Sequence, residues 1–381
     1  MTTQGSILCV ANYPSDVGYA WWLMESYWIK ISETFTGRYQ TFVAYPQINT
    51  LPVNIAESQL TPIEYAFSQN SIKQVLNNMS FIRRHNIKVL YLSDHSSVSL
   101  VYAMYRMAGV ETIIVHDHTP GLRTEPRGVK KWLKTIWARL PFIHADAAFG
   151  ATEFVRQRLV NVSCMPKSRC YAIQNGIEFS EHNEKHNHPL VEQLPKDKKI
   201  IVTASRANKY KGIQFALDVI AYLVHQKGIT DLVYLFCGDG PDLEEFKRYA
   251  TKLKIEPYCY FPGRVDQIQQ LFKSCHVAFQ PSSGEVGYSL SILEYMVNKL
   301  PVIVPDNPSV CGATAHGTNG QVYNDKSIQG AADSIALYLT NEHTRKQHGD
   351  EAKQSVLANY TLTSTHQALK NALITVVNKN N

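Results

Sequence analysis

The stretch DLVYLFCGDGPDLEEF, Asp231–Phe246, decides the fold. Its first half is a short apolar run, long enough for a buried strand and too short for a core helix. GDGP is a glycine turn. Beyond it Pro241 suits the first turn of a helix, and Glu244 and Glu245 suit the positive end of that helix's dipole. A buried strand turning into a helix is half of a β-α-β unit. Such units build parallel sheets with both faces covered.

The same step repeats in both directions. Downstream come YCYFPG from Tyr258 with a helix from Val265, HVAFQPS from His276 with the segment SSGEVGYSLSILEYM (Ser282–Met296), and LPVIVPD from Leu300. Upstream lies KIIVTASR from Lys199 with a helix from Gly212. Before it, EFSEHNEKHNHPLVEQLPKDKK (Glu178–Lys199) is polar and proline-bearing. It reads as an exposed hinge rather than a histidine metal site. Further upstream the alternation resumes with strands at SILCVANYP (from Ser6), TFVAYP (Thr41), KVLYLS (Lys88), TIIVHD (Thr112) and ADAAFGAT (Ala145). The expected plan is an α/β domain at 1–180, a hinge at 181–198, a second α/β domain at 199–360 and a final helical segment at 361–381. Ligands of open parallel sheets sit beyond the carboxyl ends of the strands, so the natural site of two such domains is the cleft between them.

Composition excludes several classes. The 381 residues are 44% hydrophobic and 18% charged, as in an ordinary globular chain with room for two cores. No apolar run approaches the ~20 residues of a membrane-spanning helix, and the N-terminus shows no secretory signal. Seven scattered cysteines, an odd number without C-x-x-C spacing, suit a reduced cytoplasmic setting and no zinc. The net charge of +6 is too mild to imply nucleic acid.

The chemistry-bearing residues cluster at strand ends. In SSGEVGYSLSILEYM, Glu285 precedes a helix whose apolar stripe is Leu290, Leu293, Val297 and Leu300, and Glu294 sits at the edge of that stripe. The helix start near Gly287, Tyr288 and Ser289 offers unpaired N–H groups to a phosphate, while carboxylates suit sugar hydroxyls. A helix-terminal acid and a border glutamate would look the same. SRANKYKG places Arg206 and Lys211 just after a strand, where two cations can neutralise a diphosphate or simply be solvated. The turn at Gly238 lacks the full G-x-G-x-x-G, so it points only weakly to a dinucleotide.

In the order SRANKYKG, CGDGPDLEEF, YFPGRV, FQPSSGE, GYSLSILEYM, LPVIVPD, the second half resembles the retaining glycosyltransferases of family GT4, and HADAAFGATEFVRQRL with AIQNGIE is similar to that family's segment before the hinge. The resemblance implies the GT-B fold, two Rossmann-like domains whose parallel sheets face a central cleft. It implies that Arg206 and Lys211 hold the donor diphosphate and that Glu294 binds the ribose. Glu285 would touch the transferred sugar. Arg264 and Val265 would lie beside the nucleobase, and the amides of Tyr288 and Ser289 would meet the distal phosphate. Gly18, in NYPSDVGYAWW, matches a loop near the donor phosphate and the acceptor. His116 matches the active-site histidine, with His118, Asp94 and His95 as further acceptor-side candidates. One departure stands out. Eight residues, VGYSLSIL, separate Glu285 from Glu294, where the family has seven; counted back from Glu294, the family's position falls on Val286.

The implied activity is a metal-independent transfer from a nucleotide-sugar, with no cofactor, to a hydroxyl of a glycan or lipid-linked acceptor. No D-x-D pair occurs in the chain. The alternatives are a sugar-nucleotide epimerase on the same fold and an inactive sugar-nucleotide-binding partner of another transferase. Finally, RTEPRGVKKWLKTIWARLPF (Arg123–Phe142) is an amphipathic helical pattern with six cations and one acid between Arg123 and Leu140. It is either a helix packed on its own sheet or a peripheral contact with the anionic cytoplasmic face of a membrane.

Overall fold

A computed structural model describes residues 4–18, 21–179 and 188–379. Positions 181–187 of the expected hinge lie outside the described residues. The chain divides into two compact units. The first is Met1–Thr119, Arg123–Asn175 and Thr363–Asn381; the second is Pro120–Leu122 and Gly176–Leu362.

The first unit holds seven strands: β1 (Ser6–Val10), β2 (Gln40–Tyr45), β3 (Thr61–Glu64), β4 (Ile87–Ser93), β5 (Thr112–Asp117), β6 (Ala147–Gly150) and β7 (Cys170–Ala172). They pair in parallel in the order β3-β2-β1-β4-β5-β6-β7. The second unit holds β8 (Lys199–Ala204), β9 (Leu232–Cys237), β10 (Cys259–Gly263), β11 (Val277–Phe279), β12 (Val302–Pro305) and β13 (Gly320–Tyr323), in the parallel order β10-β9-β8-β11-β12-β13. Both sheets are Rossmann-like and covered on both faces, which is the α/β GT-B architecture. Alternate residues along β8 enter opposite cores: Ile200, Val202 and Ala204 join Leu293 and Met296, while Ile201 joins Ala216, Leu217 and Ile220.

Three strands had no clear sequence signal, and all lie at sheet edges. β3 carries Pro62 and the exposed Glu64, β7 has three residues, and β13 begins with a glycine. Edge strands lack the two-sided burial that produces a continuous apolar run. Two helix starts also differ from expectation. The helix after β9 is Leu243–Lys252 with Asp242 before it, so Pro241 belongs to the turn. The helix after β10 is Ile268–Phe272, not a helix from Val265.

The helix Leu290–Val297 buries Ile292, Leu293, Tyr295, Met296 and Val297, a wider face than the expected stripe, and Leu300 lies beyond its end. The cause is enclosure on two sides, by the sheet core and by the helix Glu342–Asn359. The last helix, Leu362–Lys379, packs with the first unit: the Thr365 hydroxyl donates to the Gln174 carbonyl (2.7 Å), and His366 shares a hydrogen bond with Ser26 (3.1 Å).

Each sheet reverses its winding once, between β1 and β4 in the first unit and between β8 and β11 in the second. Crevices beyond the strand ends open at such reversals. Asn12 to Gly18 and Asp94 follow the strands flanking the first reversal. Arg206 to Lys211 and Gln280 to Glu285 follow those flanking the second.

Candidate active site

In the second unit the strand-end loops are tied together through the backbone. The amide of Ser205 donates to the carbonyl of Cys237 (3.1 Å), that of Ala207 to Asp239 (2.9 Å) and that of Gly238 to Gly263 (2.8 Å). Across the reversal, Ser283 donates to the carbonyl of Tyr210 (2.9 Å). Gly212 has φ +75°, and a Cβ there would stand 2.1 Å from the Pro281 carbonyl oxygen. Only glycine combines that left-handed turn with so close an approach. The turn Lys209–Lys211 is thereby held against the loop after β11.

This placement brings Lys211 to Glu285, 74 residues away in sequence: Nζ donates to Oε1 at 2.6 Å. The two side chains are only 11% and 9% exposed. Burial acts to lower the Lys211 ammonium, but the Glu285 carboxylate and the neighbouring Tyr210 outweigh it and hold it above the usual lysine value. The carboxylate at the second strand end is that of Glu285, not a group at position 286. Its loop is held from beneath by polar groups with no obvious sequence signature. The Asn307 side chain donates to the Ser283 carbonyl (3.1 Å) and accepts from the Ser309 hydroxyl (2.7 Å), and the Ser309 carbonyl accepts from the Gly287 amide (2.8 Å). Polar residues directly after a buried strand, as in PDNPS (from Pro305), were the available hint.

The other expected donor-side residues are spread around this pair. Arg206 is exposed at the end of β8. Gly287 gives its amide to Ser309, so it serves as a turn residue with φ +114° rather than as a free N–H donor. Tyr288 is buried, its ring edge-on to Tyr360. Ser289 stands at the start of the helix without a side-chain cap bond, and its buried hydroxyl has no partner among the described residues. Glu294 is half-buried in that helix, and burial raises its carboxyl above the usual range. Arg264 and Val265 follow β10 and line a pocket of about 450 Å³ together with Pro189, Gln193, Asp266 and Gln267.

In the first unit His116 is the penultimate residue of β5, fully buried. Its Nδ1 shares a hydrogen bond with the Tyr91 hydroxyl, and its Nε2 has no partner among the described residues. The His118 ring lies 4.0 Å from it, centroid to centroid, and both its nitrogens are buried without partners among the described residues. Tyr27 stacks on His116 at 5.3 Å. Burial drives both imidazoles toward the neutral form: His116 falls well below its ordinary value and His118 falls to about 4. Asp94, at φ +59°, accepts from the His118 amide (2.6 Å); burial lifts its carboxyl to about 6 against that bond. His95 shares a hydrogen bond with the Ser93 carbonyl (2.9 Å), and burial lowers it too. Arg158 braces the same strand end through Asp117 (3.0 Å) and the Thr119 carbonyl (2.7 Å). Gly18 is exposed, with φ +71°. Thus His116, His118 and Asp94 come together. Tyr91, which anchors His116, went unnoticed because a tyrosine within KVLYLS reads as core.

Two consequences are measurable. Lys211→Met leaves a buried, unpaired carboxylate and should cost about 3–5 kcal/mol in urea unfolding. Adding Glu285→Gln should recover most of that loss, and a double variant as unstable as the single one would contradict the pairing. For His118, the folded value of about 4 lies below the ordinary 6.5, so the unfolded chain binds the proton first and stability is lost as pH falls through that window. The loss reaches about 2 kcal/mol by pH 5. Asp94, raised to about 6, works in the opposite sense. His118→Gln should therefore flatten the decline of unfolding free energy between pH 7 and 5; an unchanged slope would exclude His118 as its source.

Comparison with known proteins gives consistent results. Residues 184–355 match the family described as Glycosyl transferases group 1. The chain is 25% identical over 163 residues to the N-acetyl-alpha-D-glucosaminyl L-malate synthase of Bacillus anthracis, covering 43% of this chain and 42% of that protein. It is 27% identical over 243 residues to the alpha-monoglucosyldiacylglycerol synthase of Streptococcus pneumoniae, covering 60% and 53%. The chain thus spans about half the length of the curated relatives it matches. Among solved structures, a glycosyltransferase from Rickettsia africae ESF-5 superposes with a TM-score of 0.78 at 16% identity, covering 98% of both chains. Anabaena HepE in complex with UDP-glucose superposes with a TM-score of 0.73 at 15% identity, covering 97% of this chain and all of that one, to the 100% level. The family match lies within the second unit, at residues 184–355, and the solved structures share the GT-B fold over nearly the whole chain.

Proposed function

We propose that this chain moves a sugar from a nucleotide-sugar to a hydroxyl acceptor, with retention at the anomeric carbon and without a metal. The observation that carries the reading is the Lys211–Glu285 pair at the sheet reversal. A buried cation already neutralised by a carboxylate is costly to strip, yet easily re-paired with an arriving diphosphate. Lys211 and Arg206 then take the diphosphate, and Glu285 turns to the sugar hydroxyls. The unpartnered Ser289 hydroxyl and the helix N-terminus behind it supply further donors to the distal phosphate. Glu294 accepts from the ribose. The pocket beside Arg264 and Val265 takes the nucleobase.

The bond between the anomeric carbon and the phosphate oxygen breaks as positive charge builds on the sugar. Fixed cations and donors stabilise the departing phosphate, each worth ~10²–10³ in rate. The acceptor oxygen bonds to the same face of that carbon, and its proton passes to the leaving phosphate. His116, held neutral, offers its free Nε2 to the transferred sugar, with Gly18, Asp94, His95 and His118 on the acceptor side.

UDP-glucose in Anabaena HepE makes a uridine diphosphate sugar the first donor to test, and the diacylglycerol-derived relative makes a lipid-linked acceptor a natural companion. No helix among the described residues is long and apolar enough to cross a membrane. We read residues 123–142 as a peripheral contact with an anionic cytoplasmic membrane face.

Thermal shift with uridine, guanosine and adenosine diphosphate sugars should single out one donor. Arg206→Ala should then lose ~10²–10³ in kcat with its fold intact. A new sugar nucleotide formed from donor alone would identify an epimerase instead, and wild-type turnover in Arg206→Ala would remove the assigned role. Vesicle co-sedimentation should need anionic lipid and weaken with salt; equal recovery without such lipid would refute the membrane contact.

A further inference from the structure

The helix Gly128–Trp137 has no buried residue, although its sequence is strongly amphipathic. Val129 is 72% exposed, Trp132 62% and Trp137 45%, with Leu133, Ile136, Leu140 and Phe142 exposed beside them. A helix packed on its own sheet would have hidden this face. A contiguous apolar surface ringed by cations marks a binding surface.

One side of the helix is not flat. Val129, Leu133 and Trp137 form the wall of a cavity of about 660 Å³, within the range of pockets that take a small ligand. The segment Ser96–Val98 and Ser163 also line it. That segment is braced: Ala145 donates to the Ser97 carbonyl (2.9 Å) and Ser99 donates to the Ile143 carbonyl (2.7 Å). Lys130 and Lys134 complete the lining, and Lys134 also donates to the Val162 carbonyl (3.1 Å). An alkyl-sized apolar wall, two ammonium groups and serine hydroxyls thus share one cavity.

The geometry points to a site for a single anionic amphiphile: its alkyl chain lies along Val129, Leu133 and Trp137, and its phosphate meets Lys130, Lys134 and the serine hydroxyls. Charge complementarity selects this occupant. The segment from Arg123 to Leu140 carries a surplus of five positive charges, which would repel a second copy of itself and attract an acidic headgroup. The apolar wall offers nothing to a nucleic-acid backbone. The site deepens the reading of residues 123–142 as membrane-facing, but it is carried by the groove's own lining and not by the donor assignments. It differs from simple adsorption because it extracts one molecule into a walled groove.

The test uses the full chain and dodecyl phosphate kept below its micelle concentration, with dodecylphosphocholine as the control without net charge. Dodecyl phosphate should give a saturable blue shift of tryptophan emission that Trp137→Phe abolishes, and the control should bind at least tenfold more weakly. Ser163→Tyr, which fills the groove, should weaken monomer binding at least tenfold while leaving anionic-vesicle sedimentation in place. Lys130→Glu, on an exposed position, should weaken both. Equal binding of the two headgroups, or unchanged affinity in both Ser163→Tyr and Lys130→Glu, would overturn the site. Vesicle binding without monomer binding would overturn the groove and leave the membrane contact standing. Monomer binding without vesicle binding would do the reverse.

Discussion

The buried contact between Lys211 and Glu285 is the constraint on which the second unit's site depends. Two opposite charges at 2.6 Å attract strongly, but removing both from water costs several kcal/mol per ion, so the pair contributes little net stability. It fixes geometry instead. The loops after β8 and β11 must stay in register for the charges to meet. Gly212, the Tyr210–Ser283 backbone bond and the Asn307–Ser309 support all serve that register. The cost is met by the core beneath, whose strands are buried on both faces.

The first unit places buried imidazoles beside an ion pair of its own, Arg158 with Asp117. Its strand-end imidazoles are kept neutral by burial, and one nitrogen of His116 is occupied by Tyr91. A neutral ring in that setting is a directional hydrogen-bonding group rather than a cation. Lys211 and Arg206 follow the strand at the second unit's reversal, and neutral imidazoles stand at the end of β5 in the first.

Much of this was legible in the sequence because parallel sheets write a coarse signal. Central strands such as KIIVTA and TIIVHD carry an unbroken apolar triplet, and helices between them carry clear periodicity. Edge strands escaped because TPIE and GQVY look like loops. The strand-end cations and glutamates could be found from their position after strands, but their partnership could not. Nothing local to SRANKYKG announces that Lys211 meets a residue 74 positions away. The roles of Asn307, Ser309 and Tyr91 likewise arise only in three dimensions, and PDNPS after a buried strand hinted at the first two without naming their partners. The amphipathic helix was legible as a pattern, but that none of its residues is buried could be seen only in three dimensions.

The amide of Gly287 is secured to Ser309 rather than to the helix that follows. The loop bearing Glu285 therefore ends at an anchor of its own before the helix bearing Glu294 begins. An additional residue in that loop can bulge without rotating the helix. The two glutamates are consequently mounted on separate mechanical supports, so a change of length around one need not displace the other.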